Sequence, residues 1–249
     1  INSNYTSIFA DEISIFEDIN NSNIKYTLKG NTITIVSCTM ENNTVVIPPY
    51  VTREIQSGNS TVQKILPVTH ISSEAFADKQ DMKILEVPEH TSVPSNCFEG
   101  FDNLETLSFY EYTFAPSDED DSPQNILKFN SVNVGYNAFN NCTKLTTINF
   151  PNTYKGTVSK SAFYNTPWFN NFINNANITN KTILTDIDGI ITEAYLIVNG
   201  CLLNYWTISD NTVMHIPDKV KYIQDYTLTD NEFMPQITDI VAEGQVRDY

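Results

Sequence analysis

No apolar run in these 249 residues approaches the roughly 18–20 that a membrane-crossing helix needs, so no such helix is expected. Basic residues are scarce. Fourteen Lys and Arg stand against 30 Asp and Glu, for a net charge of −16. A surface of that sign repels phosphate, which argues against nucleic-acid binding and against docking on an anionic membrane. Cysteine is sparse too: Cys38, Cys97, Cys142 and Cys201 lie far apart with no CxxC, which excludes a disulfide-stapled mini-domain. They are expected as buried free thiols, with one disulfide left open for an exported chain. His70, His90 and His215 share no ligand-like spacing, so no zinc site is expected. Neither a G-x-S-x-G elbow, nor HExxH, nor a glycine-rich phosphate loop occurs. These absences predict a protein without enzymatic activity and without a cofactor.

Hydrophobic residues make up 41% of the chain and charged residues only 18%, which supports a real core and argues against disorder. The length allows one ordinary domain or two small ones. Asparagine supplies 30 residues, and Thr and Ser are also rich, giving the polar, weakly charged surface common among exported proteins. Ile1 in place of Met predicts a processed or engineered N-terminus, with any signal peptide already gone. An extracellular or cell-surface location is therefore expected.

The strongest feature is an internal repeat. A small residue precedes Phe at Ala75-Phe76, Cys97-Phe98, Ala138-Phe139 and Ala162-Phe163, with the Phe residues 22, 41 and 24 apart. Six positions after the first three Phe come Met82, Leu104 and Leu145. Nine after come Leu85, Leu107 and Ile148, and eleven after come Val87, Phe109 and Phe150. The unit is 22–24 residues long, and the 41-residue interval is one unit carrying an insertion near 111–125. Partial copies stand at Val45-Val46-Ile47-Pro48 and at Met214-His215-Ile216-Pro217, the latter followed by Thr227-Leu228, Met234 and Ile237.

Within each unit, Leu85-Glu86-Val87 or Ile148-Asn149-Phe150 alternates apolar with polar, the mark of a short half-buried strand. Proline directly after the strand stops the ladder, because it has no N–H to donate. The small-residue–Phe pair packs inward on the returning limb. So short a unit cannot bury two apolar limbs alone, and each coil must stack on the next. The expected fold is an α/β, β-dominated repeat solenoid with short parallel strands on one face and irregular or short helical returns.

The stretch Val134…Ala138-Phe139-Asn140-Asn141-Cys142-Thr143-Lys144-Leu145-Thr146-Thr147-Ile148-Asn149-Phe150-Pro151 resembles the BspA-like class of bacterial surface leucine-rich repeats. Tyr195–Tyr205, with its Asn199-Gly200 turn signal, is similar to the β-hairpin that often restarts such arrays. Ile24 to Pro48 looks like the family's opening strands, so the likeness spans roughly 24–240. Leu228 in place of Phe, the interrupted 98–139 coil and the low count of eight glycines depart from the pattern. The resemblance implies attachment, since the family is associated with adhesion to host proteins and to other cells.

Three parts are expected in one continuous domain: an N-terminal cap over 1–23, coils over 24–165, and a helical turn, hairpin and final coil over 166–249. Ile8, Phe9, Ile13, Phe16 and Ile19 have near-helical spacing behind Asp11 and Glu12, which suits a capping helix over 7–19, strand pairing being the alternative. Thr166-Pro167-Trp168-Phe169 reads as a Pro-initiated turn inserting Trp168 and Phe169 into the core.

The candidate partner-binding positions are those that point outward from the strands: Val46, Ile84, Glu86, Thr106, Ser108, Thr147, Asn149 and His215, with the 111–125 insertion beside them. The expected partner is a protein, a host matrix component or a surface protein of another cell. A carbohydrate-binding module would stack a sugar on Tyr110 and Tyr112, although packing of the insertion edge also explains them. A structural spacer displaying another domain is the third reading. Asp118, Asp120 and Asp121 are weak calcium candidates, since they lack the spaced D-x-D-x-D-G pattern; Asp186-Ile187-Asp188-Gly189 is expected as a turn. Seven N-x-S/T sequons, about what this composition yields by chance, carry no separate inference.

Overall fold

The computed structural model describes residues 14–116, 122–224, 227–228, 232 and 234–242, with 247–248 as backbone. The chain opens with β1 (Ile15–Asp18), β2 (Asn21–Lys29), β3 (Thr32–Ser37), β4 (Met40–Glu41), β5 (Thr44–Val46), β6 (Tyr50–Ser57) and β7 (Ser60–Ile71). The repeats follow as β8 (Ile84–Pro88), β9 (Thr106–Tyr110), α1 (Pro123–Lys128), β10 (Asn133–Val134), β11 (Thr147–Asn149), β12 (Thr157–Val158) and α2 (Pro167–Asn170). Last come β13 (Lys181–Thr185), β14 (Ile191–Val198), β15 (Cys201–Thr207), β16 (Val213–Ile216), β17 (Tyr222–Ile223), a 3-10 turn (Met234–Gln236), β18 (Asp239–Ala242) and β19 (Arg247–Asp248).

Three five-stranded sheets, β1-β2-β3-β7-β6, β11-β9-β8-β5-β4 and β13-β14-β15-β17-β19, dominate the architecture. Each mixes parallel and antiparallel pairs, so the expectation of parallel strands holds for only part of the chain. The reason is local. Asn42-Asn43 and Asn199-Gly200 have both residues at positive φ, and such tight two-residue turns return a strand beside its predecessor, antiparallel.

The repeat itself is parallel. β5, β8, β9 and β11 pair in sequence, with Val45 beside Leu85, Leu85 beside Leu107 and Leu107 beside Ile148. All four side chains are buried. β9 therefore meets β11 directly, and the extra residues of the 41-residue interval leave the coil as an insertion containing α1, which packs against β7. Ser122 caps α1 and Pro123 starts it.

On the returning limb the phenylalanines form a continuous stack. Ring centroids are 5.4 Å apart for Phe76–Phe98, 5.2 Å for Phe98–Phe139 and 5.4 Å for Phe139–Phe163. Those steps are close to the strand spacing of about 4.8 Å, so ring and strand advance together from coil to coil. The residue before each Phe is small because its backbone must meet the next coil: Phe98 N donates to the Ala138 carbonyl and Phe139 N to that of Ala162, each at 2.8 Å.

The scarcity of glycine is resolved by asparagine. The residue two after Phe is left-handed in three successive coils, as Gly100 (φ 72°), Asn141 (φ 60°) and Asn165 (φ 59°). Asn tolerates this region better than other residues with a Cβ, because its short amide bonds locally. Here the Asn165 amide donates to the Asn141 side chain at 3.0 Å.

The N-terminal expectation needs correction. Residues 1–13 lie outside the described residues, but β1 is a strand antiparallel to β2, where the helical reading put residues 15–18 in a helix. Of the described residues of the expected apolar stripe, Phe16 packs partly buried against the core while Ile19 is 42% exposed, so the two do not share one buried face. Asp18 fixes the turn instead: its carboxylate accepts from Asn20 N, Asn21 N and Thr52 N.

Trp168 is fully buried behind Thr166, whose hydroxyl caps α2 by accepting from Phe169 N, while Phe169 is only half-buried. The hairpin β14–β15 turns at Asn199-Gly200 as expected. It is buried on both faces. Ala194, Leu196, Val198, Cys201 and Leu203 face the main core, and Tyr195, Ile197, Leu202 and Tyr205 face a second cluster with Met214, Ile216 and Val220. A strand shared between two cores reads as an unbroken apolar run, as Tyr195–Val198 does. All four cysteines are buried and free. Burial pushes the thiols of Cys38, Cys97 and Cys142 up to about 12.

Candidate partner-binding face

Alternation along β5, β8, β9 and β11 turns every second side chain away from the core, and the parallel register brings these into two rows. One row is Thr44, Ile84, Thr106 and Thr147; the other is Val46, Glu86, Ser108 and Asn149. Seven of the eight outward residues expected from the sequence thus lie on one sheet. Val46 and Ile84 expose 49% and 37% of their surface, unusual for aliphatic side chains in the middle of a sheet. The polar members interact along the row, with the Asn149 amide donating to Ser108 Oγ at 3.0 Å. At the start of the strands, Lys83 and Glu105 pair at 3.5 Å, both half in water.

Thr44 belongs to the first row and was not among the expected positions. The signal was available: aligning Val45-Val46-Ile47-Pro48 with Leu85-Glu86-Val87-Pro88 sets Thr44 opposite Ile84. An acidic corner at the far end of the strands was also missed. Thr153 Oγ1 lies 2.5 Å from Glu89 Oε2 and 2.7 Å from Glu111 Oε1. The repeat carried part of this signal, since Glu89 and Glu111 each stand thirteen positions after the Phe of their coil, Phe76 and Phe98, while Thr153 stands fourteen after Phe139.

The eighth position is a correction. His215 stands on β16, which pairs with β18 in a separate two-stranded sheet, so it does not join the face. Its Nδ1 is 2.7 Å from Glu193 Oε2, a carboxylate only 3% exposed. The diverged terminal copy keeps the strand pattern but docks on the hairpin instead of extending the row from β11.

Tyr110 and Tyr112 are committed to packing. The Tyr110 hydroxyl donates to the Ile47 carbonyl at 2.6 Å, and burial, followed by the nearby Glu86, raises its pKa above the ordinary tyrosine range. The Tyr112 ring packs 5.7 Å from Tyr50 and 4.9 Å from Phe114.

Asp118, Asp120 and Asp121 lie outside the described residues. Asp186 forms the expected turn, its Oδ1 accepting from Asp188 N and Ile190 N at 2.9 Å each. Among the described residues no three His, Cys, Asp or Glu side chains converge as a metal site, and no helix is long and apolar enough to cross a membrane.

No curated protein matches the sequence. Among solved structures, the chain is similar to a leucine rich cell surface protein from Faecalibacterium prausnitzii A2-165, at 13% identity and a TM-score of 0.32, over 96% of this chain and 76% of that one. It is also similar to the pneumococcal vaccine antigen PcpA, at 15% identity and a TM-score of 0.31, over 92% of this chain and 64% of that one. At those scores neither likeness bears on how the coils are arranged or on what is bound. The sequence profile described as "BspA type Leucine rich repeat region" matches in six copies over residues 22–116 and 121–185, well over half of the sequence. The chain belongs to the BspA-type leucine-rich-repeat family.

Proposed function

We propose that this chain is a non-enzymatic adhesion module, displayed outside the cell, that binds a partner protein through the outward rows of β5, β8, β9 and β11. In this reading the stacked coils form a solenoid within one continuous domain, and the partner is a host matrix protein or a surface protein of another cell. The observation that carries it is the pair of in-register outward rows, which exposes two aliphatic side chains amid Thr, Ser, Asn and Glu. The inward positions must fill a fixed core, whereas the outward ones are free to differ from coil to coil, and they do. A flat patch with apolar centres and a polar surround is the composition of a protein interface. The net charge of −16 favours a basic partner, whose approach it would accelerate.

The test is surface plasmon resonance of the purified chain against a panel of extracellular matrix proteins and glycans. Saturable binding to a protein supports the proposal. Binding to glycans alone overturns it in favour of a carbohydrate module. Absence of saturable binding at concentrations of about 50 µM, in the weak-transient range, overturns it in favour of a spacer.

A further inference from the structure

A second polar centre lies away from the strand face, where the terminal repeat docks on the hairpin. Glu193 projects from β14 between the strands and is almost wholly removed from water. A buried carboxylate is costly unless its lone pairs are occupied. Here Oε1 accepts from Tyr195 Oη at 2.8 Å, Tyr205 Oη at 2.9 Å and the His215 backbone N at 3.0 Å, while Oε2 faces His215 Nδ1 at 2.7 Å. A carboxylate can only accept, so Nδ1 carries the proton. Nε2 has no partner among the described residues.

His215 and Glu193 line an open cavity of about 560 Å³ between β13, β14, β16 and the 208–211 loop. Its apolar wall is Leu184 and Ile208, and Asp210 adds an exposed carboxylate. The loop carrying Asp210 is held in place. Gln236 Nε2 donates to the Ile208 carbonyl at 2.8 Å and to that of Asn211 at 3.0 Å, and Asn211 bonds both Thr207 Oγ1 and Val213 N. No lysine or arginine is among the cavity's lining residues.

We infer that this cavity is a receptor for one lysine or arginine side chain of a protein partner. The chemistry is complementary at both ends. Asp210 is an acceptor, so the group it holds must donate, and a lining that carries two carboxylates and no lysine or arginine selects a cation. Leu184 and Ile208 give the alkyl stem an apolar wall, which suits a side chain with an aliphatic body and a charged head. Glu193 is a positioning residue: its own lone pairs are occupied within the protein, and it fixes the ring that faces the cavity. The inference rests on the adhesion-module reading only in naming a protein as the bearer of the cation.

The experiment is a carbon–proton NMR titration of the whole chain with acetyl-arginine-amide, acetyl-lysine-amide and the uncharged isostere acetyl-citrulline-amide. The expected result is saturable shifts of the Leu184 and Ile208 methyls and the His215 ring with the two cations, at dissociation constants on the order of millimolar. Citrulline should bind at least about threefold more weakly, and Asp210→Asn, an exposed change that leaves the fold intact, should cost arginine a similar factor. Glu86→Lys combined with Asn149→Lys on the strand face should leave this titration unchanged. Equal shifts with citrulline, shifts that never saturate, or an Asp210→Asn chain that binds as wild type would each overturn the inference. If arginine saturates here while no panel protein binds, the cavity stands and the adhesion reading falls.

Discussion

Replacing Phe139 tests the stacked core at its centre. The side chain is fully buried and lies between two parallel rings, Phe98 at 5.2 Å and 6° and Phe163 at 5.4 Å and 14°. Phe139→Ala removes the ring's transfer energy and leaves a cavity that neighbouring coils, pinned by their own strands, cannot fill; the expected loss is about 3–5 kcal/mol. Phe139→Leu retains most of the apolar volume but loses two ring contacts worth about 0.5–1.5 kcal/mol each, for a loss of about 1–3 kcal/mol. Phe129 supplies the control. It is 90% exposed, so Phe129→Ala should change stability by less than about 0.5 kcal/mol. Urea unfolding followed by circular dichroism measures all three, with the slope checked for constancy so that midpoint shifts can be read as stability. A Phe139→Ala loss below about 2 kcal/mol, or a Phe139→Leu variant indistinguishable from wild type, would refute the continuous stack.

Three further outcomes follow from the same structure. Gly100→Ala meets no atom within 4 Å, so its cost of about 1–2 kcal/mol is that of a left-handed backbone alone, and Gly100→Asn should cost distinctly less in the same urea assay. The thiols of Cys38, Cys97 and Cys142, raised by burial, should resist Ellman's reagent in the native chain and react on unfolding; rapid native reaction would contradict their burial. Burial lowers the pKa of His70 and of His90, the latter partly offset by its bond to the Pro49 carbonyl. Because the unfolded chain takes up protons first, stability present above about pH 6.5 should decline as pH falls below it, and His90→Gln should flatten that decline in melting curves.

The repeat was legible because its physics is local. Fixed offsets from Phe76, Phe98 and Phe139 to Leu85, Leu107 and Ile148 encode one strand and one return, and period-2 alternation then assigns the outward rows. Where coils meet other elements, local pattern loses its grip. The β1 segment carries apolar residues at near-helical spacing, yet pairing with β2 and the buried Asp18 turn decide its conformation, and neither is visible within that segment. His215 matched Glu86 and Asn149 by position in the repeat. Its surroundings are set by Glu193, 22 residues away on a hairpin whose docking no offset predicts. Asn141 and Asn165 show the reverse case: low glycine looked like a departure from the family pattern, and the backbone shows asparagine in the glycine role.

The strand face is tested most directly by moving charge on and off it with one bound partner. A protein captured from the matrix panel would be measured against the wild-type chain, against Glu86→Lys with Asn149→Lys on the outward rows, and against Glu99→Lys with Thr143→Lys on the exposed returning limb. Both double variants add the same charge to folded protein, so they differ only in place. Binding through the outward rows predicts a loss of at least about tenfold in the first variant and less than about twofold in the second. Equal losses in both, or none in the first, would contradict it.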